Sequence, residues 1–124
     1  MAVSPANAFS CTAGDPDGDG DLDIVFAQGN AASSSLQKVV MYENVDGAFD
    51  TIPVWQCDSV YYNVDCAFND LDNDGDLDLV VGGKYAGIRV YYNHNGTLET
   101  SPSWFTNSIV GGRQIAFGDV DGDG

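Results

Sequence analysis

Carboxylates placed at every second position of a short loop repel one another unless a cation sits among them, and this sequence carries such a loop three times. The most complete copy is Asp70-Leu71-Asp72-Asn73-Asp74-Gly75-Asp76-Leu77-Asp78, which leads into Leu79-Val80-Val81. Ca²⁺ takes an all-oxygen shell. A loop with side chains at its first, third and fifth places, a turn glycine at the sixth and a backbone carbonyl at the seventh is an established way to supply one. Those places are Asp70, Asp72, Asp74, Gly75 and Asp76, and Asp78 at the ninth adds a further carboxylate. The same spacing recurs at Asp15, Asp17, Asp19, Gly20, Asp21 and Asp23, followed by Ile24-Val25-Phe26. A third copy begins at Asp119, Asp121 and Asp123 with half of the ligand set, and it is expected to bind only if a neighbouring chain completes it.

Other readings of these loops fare worse. A simple Asp-Gly turn needs one Asp or Asn and a glycine; alternating carboxylates serve no purpose in it. Mg²⁺ prefers to keep its waters, and Zn²⁺ favours His or Cys, which the loops lack. An EF-hand has a bidentate Glu at the twelfth place, where the two full loops have Phe26 and Val81, and no helical pattern flanks either loop.

The net charge of -15 follows from the same loops, which hold 13 of the 19 acidic residues. The other six face Lys38, Lys84, Arg89 and Arg113, close to balance, so the acidity is local and unlike that of a disordered acidic tail. Four basic residues cannot make the phosphate contacts that nucleic-acid binding rests on, which excludes that partner. No apolar run reaches the length of a membrane span. Residues 1–11 lack the basic start and apolar centre of a signal peptide, so an export signal would lie outside this sequence. Cys11 and Cys66 stand four residues before the first Asp of a loop, where the third copy has Ile115. An apolar core position is favoured for them, with a Cys57–Cys66 bridge as the alternative.

Alignment on the loops reveals more than the loops. Trp55 and Trp104 each stand fifteen residues before a loop, with Pro53 and Pro102, Gly47 and Gly96, and Phe49 and Leu98 matching in the same frame. Upstream, Val39-Val40-Met41-Tyr42-Glu43-Asn44 corresponds to Ile88-Arg89-Val90-Tyr91-Tyr92-Asn93. The loops are 55 and then 49 residues apart, the excess falling in the Gly-, Asn- and Ser-rich segment between Asp23 and Val39. Repeat 1 spans about 9–57, repeat 2 about 58–106, and the start of repeat 3 about 107–124. Within repeat 2 the pattern predicts strands at Asn63–Phe68, Leu77–Val81, Ile88–Tyr92 and Leu98–Phe105, with an Asn95-Gly96 hairpin turn and no helix. Four short strands in about 50 residues is the content of one β-propeller blade.

The runs Ala116-Phe117-Gly118-Asp119-Val120-Asp121-Gly122-Asp123-Gly124 and Asp74-Gly75-Asp76-Leu77-Asp78-Leu79-Val80-Val81-Gly82 resemble the FG-GAP repeats of the integrin α-subunit propeller and the related VCBS repeats of bacterial surface proteins. The resemblance covers essentially the whole chain and departs from the family in two respects: the repeats here are too few to close a ring, and Phe-Gly before the loop is complete only at Phe117-Gly118. It implies an all-β fold of four-stranded antiparallel blades, each able to hold one Ca²⁺ between its first two strands. It also implies an extracellular or cell-surface module for adhesion or glycan recognition.

Two blades alone would leave apolar faces uncovered, so a closed ring calls for more repeats, and assembly of several copies into one propeller is the expected solution. The expected partners are a protein or glycan ligand and other copies of the chain. The expected function is a calcium-binding, non-catalytic module for adhesion or protein interaction. The alternatives are a lectin with between-blade pockets, for which Tyr61 and Tyr85 in or near turns are the candidate stacking residues, and a propeller fragment of a larger secreted enzyme. His94, the only histidine, has no nucleophile at a recognisable spacing and is read as a solvated turn residue.

Overall fold

The acidic loops and the Asp46-Gly47 and Asn95-Gly96 turns cut the chain into short β-branched and aromatic runs, and these runs form strands. The computed structural model describes residues 7–30, 35–106, 114–118 and 122; among them there is no helix. The strands are β1 (Asn7–Gly14), β2 (Asp23–Asn30), β3 (Ser35–Leu36), β4 (Val40–Tyr42), β5 (Asn44–Val45), β6 (Ala48–Phe49) and β7 (Trp55–Gln56), then β8 (Asn63–Asn69), β9 (Asp78–Gly83), β10 (Gly87–Tyr91), β11 (Asn93–His94), β12 (Thr97–Leu98) and β13 (Trp104–Phe105).

They build two antiparallel sheets of the same plan. The first runs β1-β2-β4-β7, with β3 added to β2; the second runs β8-β9-β10-β13. In each, a two-stranded ribbon, β5-β6 or β11-β12, stands between the third and fourth strands. Asp46 and Gly47 at one ribbon tip and Asn95 and Gly96 at the other all have positive φ, the conformation of a tight type I′ hairpin. Leu98–Phe105, expected as one strand, is therefore divided into β12 on the ribbon and β13 on the sheet.

Registers repeat as faithfully as residues. Ile24 pairs with Tyr42 as Leu79 pairs with Tyr91, and Val25 pairs with Met41 as Val80 pairs with Val90. A bulge falls between Ala8 and Ser10 in β1 and between Asn63 and Asp65 in β8, again equivalent places. The longer connection of repeat 1 lengthens β2 and adds β3 to its end, Gly29 pairing with Leu36, without shifting the register of the shared strands.

The core lies between the two sheets. Val25, Ala27, Val39, Met41, Trp55 and Cys57 of the first half meet Cys66, Leu79, Val81, Tyr91 and Leu98 of the second. Trp55 packs edge-on against Tyr91 at 5.6 Å, and its indole N–H donates to the Leu98 carbonyl at 3.2 Å. Burying a side chain of this size contributes about 1.5–3 kcal/mol.

Equivalent residues do not share burial. Cys66 is buried against the first sheet but Cys11 is exposed, although both were expected in the core; Trp55 is buried while Trp104 is half exposed. The reason is stacking order. Cys66 and Trp55 lie on the faces that the two sheets turn toward each other, whereas Cys11 and Trp104 lie on the opposite faces, where no third sheet packs among the described residues. All three cysteines are free thiols, so the alternative Cys57–Cys66 bridge does not form.

Candidate metal centres

Each full acidic loop wraps around its first aspartate. The Asp15 carboxylate accepts the backbone N–H groups of Gly18, Asp19 and Gly20 at 2.8–3.1 Å. Asp70 accepts those of Asp74 and Gly75 at 3.1 and 3.0 Å. Shorter links follow in step, from Asp19 N to Asp17 and Asp21 N to Asp19, and from Asp74 N to Asp72 and Asp76 N to Asp74. The winding needs left-handed backbone at the fourth and sixth places. Gly18 and Gly20 supply it in the first loop; Asn73, a residue that tolerates this region, and Gly75 supply it in the second. Gly122, the fourth place of the third loop, has φ 77 in the same sense; Asp119, Asp121 and Asp123 lie outside the described residues.

This winding gathers carboxylate oxygens. One oxygen each from Asp15, Asp17 and Asp19 lie within 4.8 Å of one another, as do oxygens from Asp70, Asp72 and Asp78. Either group can hold a metal ion, and an all-carboxylate donor set suits a hard cation. Without one, the groups are electrostatically uncomfortable. Desolvation, followed by the charges of Asp19 and Asp15, raises Asp17 above the usual carboxylate range despite the Asp19 N–H. Asp72 is raised in the same direction by desolvation and then by Asp74 and Asp78. Asp23 is raised by burial, with Asp17, Asp19 and Glu43 adding to it against the Asn44 N–H.

Asp21, Asp23 and Asp76, with Asp78 of the second group, have another task. Asp21 accepts the N–H of Asp46, and Asp76 that of Asn95, each at 2.8 Å, so the seventh place grips the tip of the ribbon in its own repeat. The buried ninth residues, Asp23 and Asp78, accept the N–H groups of Asn44 and Asn93 at the ribbon base, both at 2.9 Å. Asp78 also accepts the Leu71 N–H. Asp74, at the fifth place, stays on the exposed rim of its loop.

Asn93, which the sequence reading had not singled out, joins the two loops. It is fully buried and donates to the Pro16 carbonyl in the first loop at 2.6 Å and to the Leu77 carbonyl in the second at 3.0 Å, while its side-chain oxygen accepts Gly96 N–H. A Cβ at Gly96 would come within 3.4 Å of the Asp17 backbone, so the second ribbon lies directly against the first loop. The only sequence signal was its match to Asn44, whose side chain likewise accepts Gly47 N–H.

The other candidates are placed as follows. Tyr85 is exposed, and the Lys84 ammonium lies over its ring; Tyr61 is partly buried and stacks on the Arg89 guanidinium. Both line a cavity of about 350 Å³ with Leu36, Val60 and Lys84. His94 is exposed on β11 and pairs with Glu99 at 3.0 Å. No helix among the described residues is long and apolar enough to cross a membrane.

A family model described as FG-GAP-like repeat matches residues 15–81 and again residues 70–124. Each match begins at the first aspartate of an acidic loop, and together they cover residues 15–124, which leaves the first strand outside. No curated protein matches the sequence.

Proposed function

Because the chain belongs to the FG-GAP-like repeat family, we propose that it is a calcium-stabilised, non-catalytic β-propeller module for protein interaction or adhesion outside the cell, each meander forming one blade. The observation that carries this reading is the double use of the loops. The carboxylates of Asp15, Asp17 and Asp19, and of Asp70, Asp72 and Asp78, converge to a size that suits one ion. Their neighbours Asp21, Asp23 and Asp76, and Asp78 itself, fasten the ribbons. A bound Ca²⁺ removes the repulsion within each loop and so orders the ribbon that leans on it.

Two further features support the stacking of blades. Within β2 and β9, alternate residues are apolar on both faces, as in a sheet meant to be covered twice. Ser10 donates to one oxygen of Asp65 at 2.6 Å, and the other oxygen accepts the N–H of Ile115 at 2.6 Å. Successive first strands and the segment before the third loop are thereby linked in a row, as the inner strands of a propeller would be. Further copies of the chain are the proposed cover for the outer faces that carry Phe26 and Tyr42 on one side and Trp104 on the other.

Calorimetric titration of chelator-stripped protein with Ca²⁺, beside light scattering, tests the reading. The expected result is at least two sites per chain with affinity of about 0.1–1 mM, the range of extracellular modules, and a mass that is a multiple of the chain. Saturation at tenfold to a hundredfold excess over Kd adds about 1.4–2.7 kcal/mol of stability per site. No heat and no shift in melting temperature would overturn the calcium assignment; a cooperatively melting monomer in excess Ca²⁺ would overturn the assembly.

A lectin is the second reading, favoured by the exposed Tyr85 ring beside the cavity that Tyr61 also lines. Glycan-array binding that Tyr85→Ala abolishes, with Ca²⁺ binding intact, would select it over protein adhesion.

A further inference from the structure

Arg89 on β10 is only 2 % exposed. Its equivalent in the first repeat is Val40, so the repeat does not require a charge at this place. The guanidinium carbon lies 3.7 Å from the centre of the Tyr61 ring, and Nη2 donates to Asn63 Oδ1 at 2.7 Å. Asn63 is in turn held by the Gln28 and Gln37 carbonyls of the first sheet, so the guanidinium is fixed from two sides. Among the described residues Nε and Nη1 find no acceptor and no carboxylate pairs with Arg89. A buried guanidinium costs stability unless an anion shares its site and its N–H groups are satisfied.

Arg89 lines a cavity of about 370 Å³ together with Asp58, Ser59, Tyr61, Ser101 and Phe105. That volume lies in the range of small-molecule sites, and the lining has their composition: aromatic surface, two hydroxyls and one charged group fixed in depth. Asp58 stands on the exposed rim, where its carboxylate accepts the Ser101 hydroxyl. With this negative charge at the entrance of an already acidic protein, a monoanion is favoured over a phosphate dianion.

We propose that this cavity binds a small organic carboxylate, whose oxygens take the N–H groups of Arg89 while Ser59, Ser101 and Phe105 hold its uncharged part. The site is separate from the acidic loops, so its occupancy does not depend on the calcium reading.

The test follows the ¹⁵N-labelled arginine Nε–H signals of the full Ca²⁺-treated chain while acetate or D-glucuronate is added, with D-glucose and matched sodium chloride as controls. Both carboxylates should shift the Arg89 signal saturably, glucuronate at lower concentration, and glucose should not. Asp58→Asn, which lowers the repulsion at the rim, should tighten binding about threefold or more; Arg89→Lys, which keeps charge but loses the planar fork, should weaken it about tenfold. Calcium titration should be unchanged in Asp58→Asn. Absence of a saturable shift, an equal response to glucose, or equal affinity in a folded Arg89→Lys protein would overturn the proposal. If Arg89→Lys fails to fold, the wild-type titration and Asp58→Asn still decide: carboxylate binding that Asp58→Asn weakens would show that Arg89 is not the recognising group.

Discussion

Asn93 fixes the two acidic loops relative to each other, since one side chain donates to Pro16 and Leu77 and accepts from Gly96. Asn93→Ala leaves the buried Pro16 carbonyl and the half-buried Leu77 carbonyl and Gly96 N–H without their partner, and should cost about 2–4 kcal/mol. Asn44→Ala, which loses only the link to Gly47, should cost about 1 kcal/mol. Urea denaturation of both variants at fixed Ca²⁺ checks the order, and equal losses would refute the bridging role of Asn93. The thiols offer a second residue-level check. Burial, with the Asp65 charge and Cys11 adding to it, pushes Cys66 up to about 12, and the side chain is nearly inaccessible. Cys11 is exposed. Mass spectrometry after brief alkylation of the native protein should find Cys11 modified first and Cys66 protected until unfolding.

At the scale of elements, the loops should respond to charge removal with opposite signs in the two metal states. Asp17→Asn removes a ligand when Ca²⁺ is present and should weaken affinity about tenfold, yet in chelator it removes repulsion and should raise the melting temperature. Protons act in the same direction. Asp17, Asp23 and Asp72 are raised in the folded protein above 3.8, so the native state holds protons more tightly than the unfolded chain. Metal-free stability should therefore fall as pH rises through and above that value, whereas the Ca²⁺-loaded protein should lose stability on acidification as ligands protonate. Thermal melts across this range, with and without chelator, read the sign.

The ribbon has its own window. The hydrogen bond to Glu99 raises His94 above 6.5 against desolvation, with lesser help from the charges of Glu99, Asp74 and Asp72. Burial pushes Glu99 up, but hydrogen bonds from His94, Ser103 and the Tyr92 N–H outweigh it and hold Glu99 below 4.5. The His94 contribution is complete below 6.5 and lost as pH rises through its folded value; that of Glu99 is complete above 4.5 and lost as pH falls through its folded value. The pair therefore acts fully between those limits. An NMR titration should place His94 higher in the wild type than in Glu99→Gln, and Ca²⁺ should lower it by quenching Asp72 and Asp74.

For the whole molecule, the outward faces of the two sheets carry Phe26, Tyr42 and Trp104, and on the proposed reading these are where further copies are expected to dock. Trp104→Asp should reduce the mass seen by light scattering while calcium titration stays intact. An unchanged mass would place the contact elsewhere. Trp104 matches Trp55 in sequence, yet it is half exposed because it pairs with Val90 on the face of the second sheet turned away from the first.

The sequence by itself determined the all-β repeat, the positions of the acidic loops, the Asn-Gly hairpin and the absence of helix among the described residues, because carboxylate spacing, positive-φ residues and β-branched runs act within a few residues of chain. Tertiary structure alone decided which member of each equivalent pair is buried, Cys66 over Cys11 and Trp55 over Trp104. It also divided the loop carboxylates between gathering around a common point and gripping the ribbons, and it buried Arg89 beside a cavity. These outcomes depend on what the adjacent sheet presents across the gap, and residues far apart in sequence meet there only after both sheets have formed.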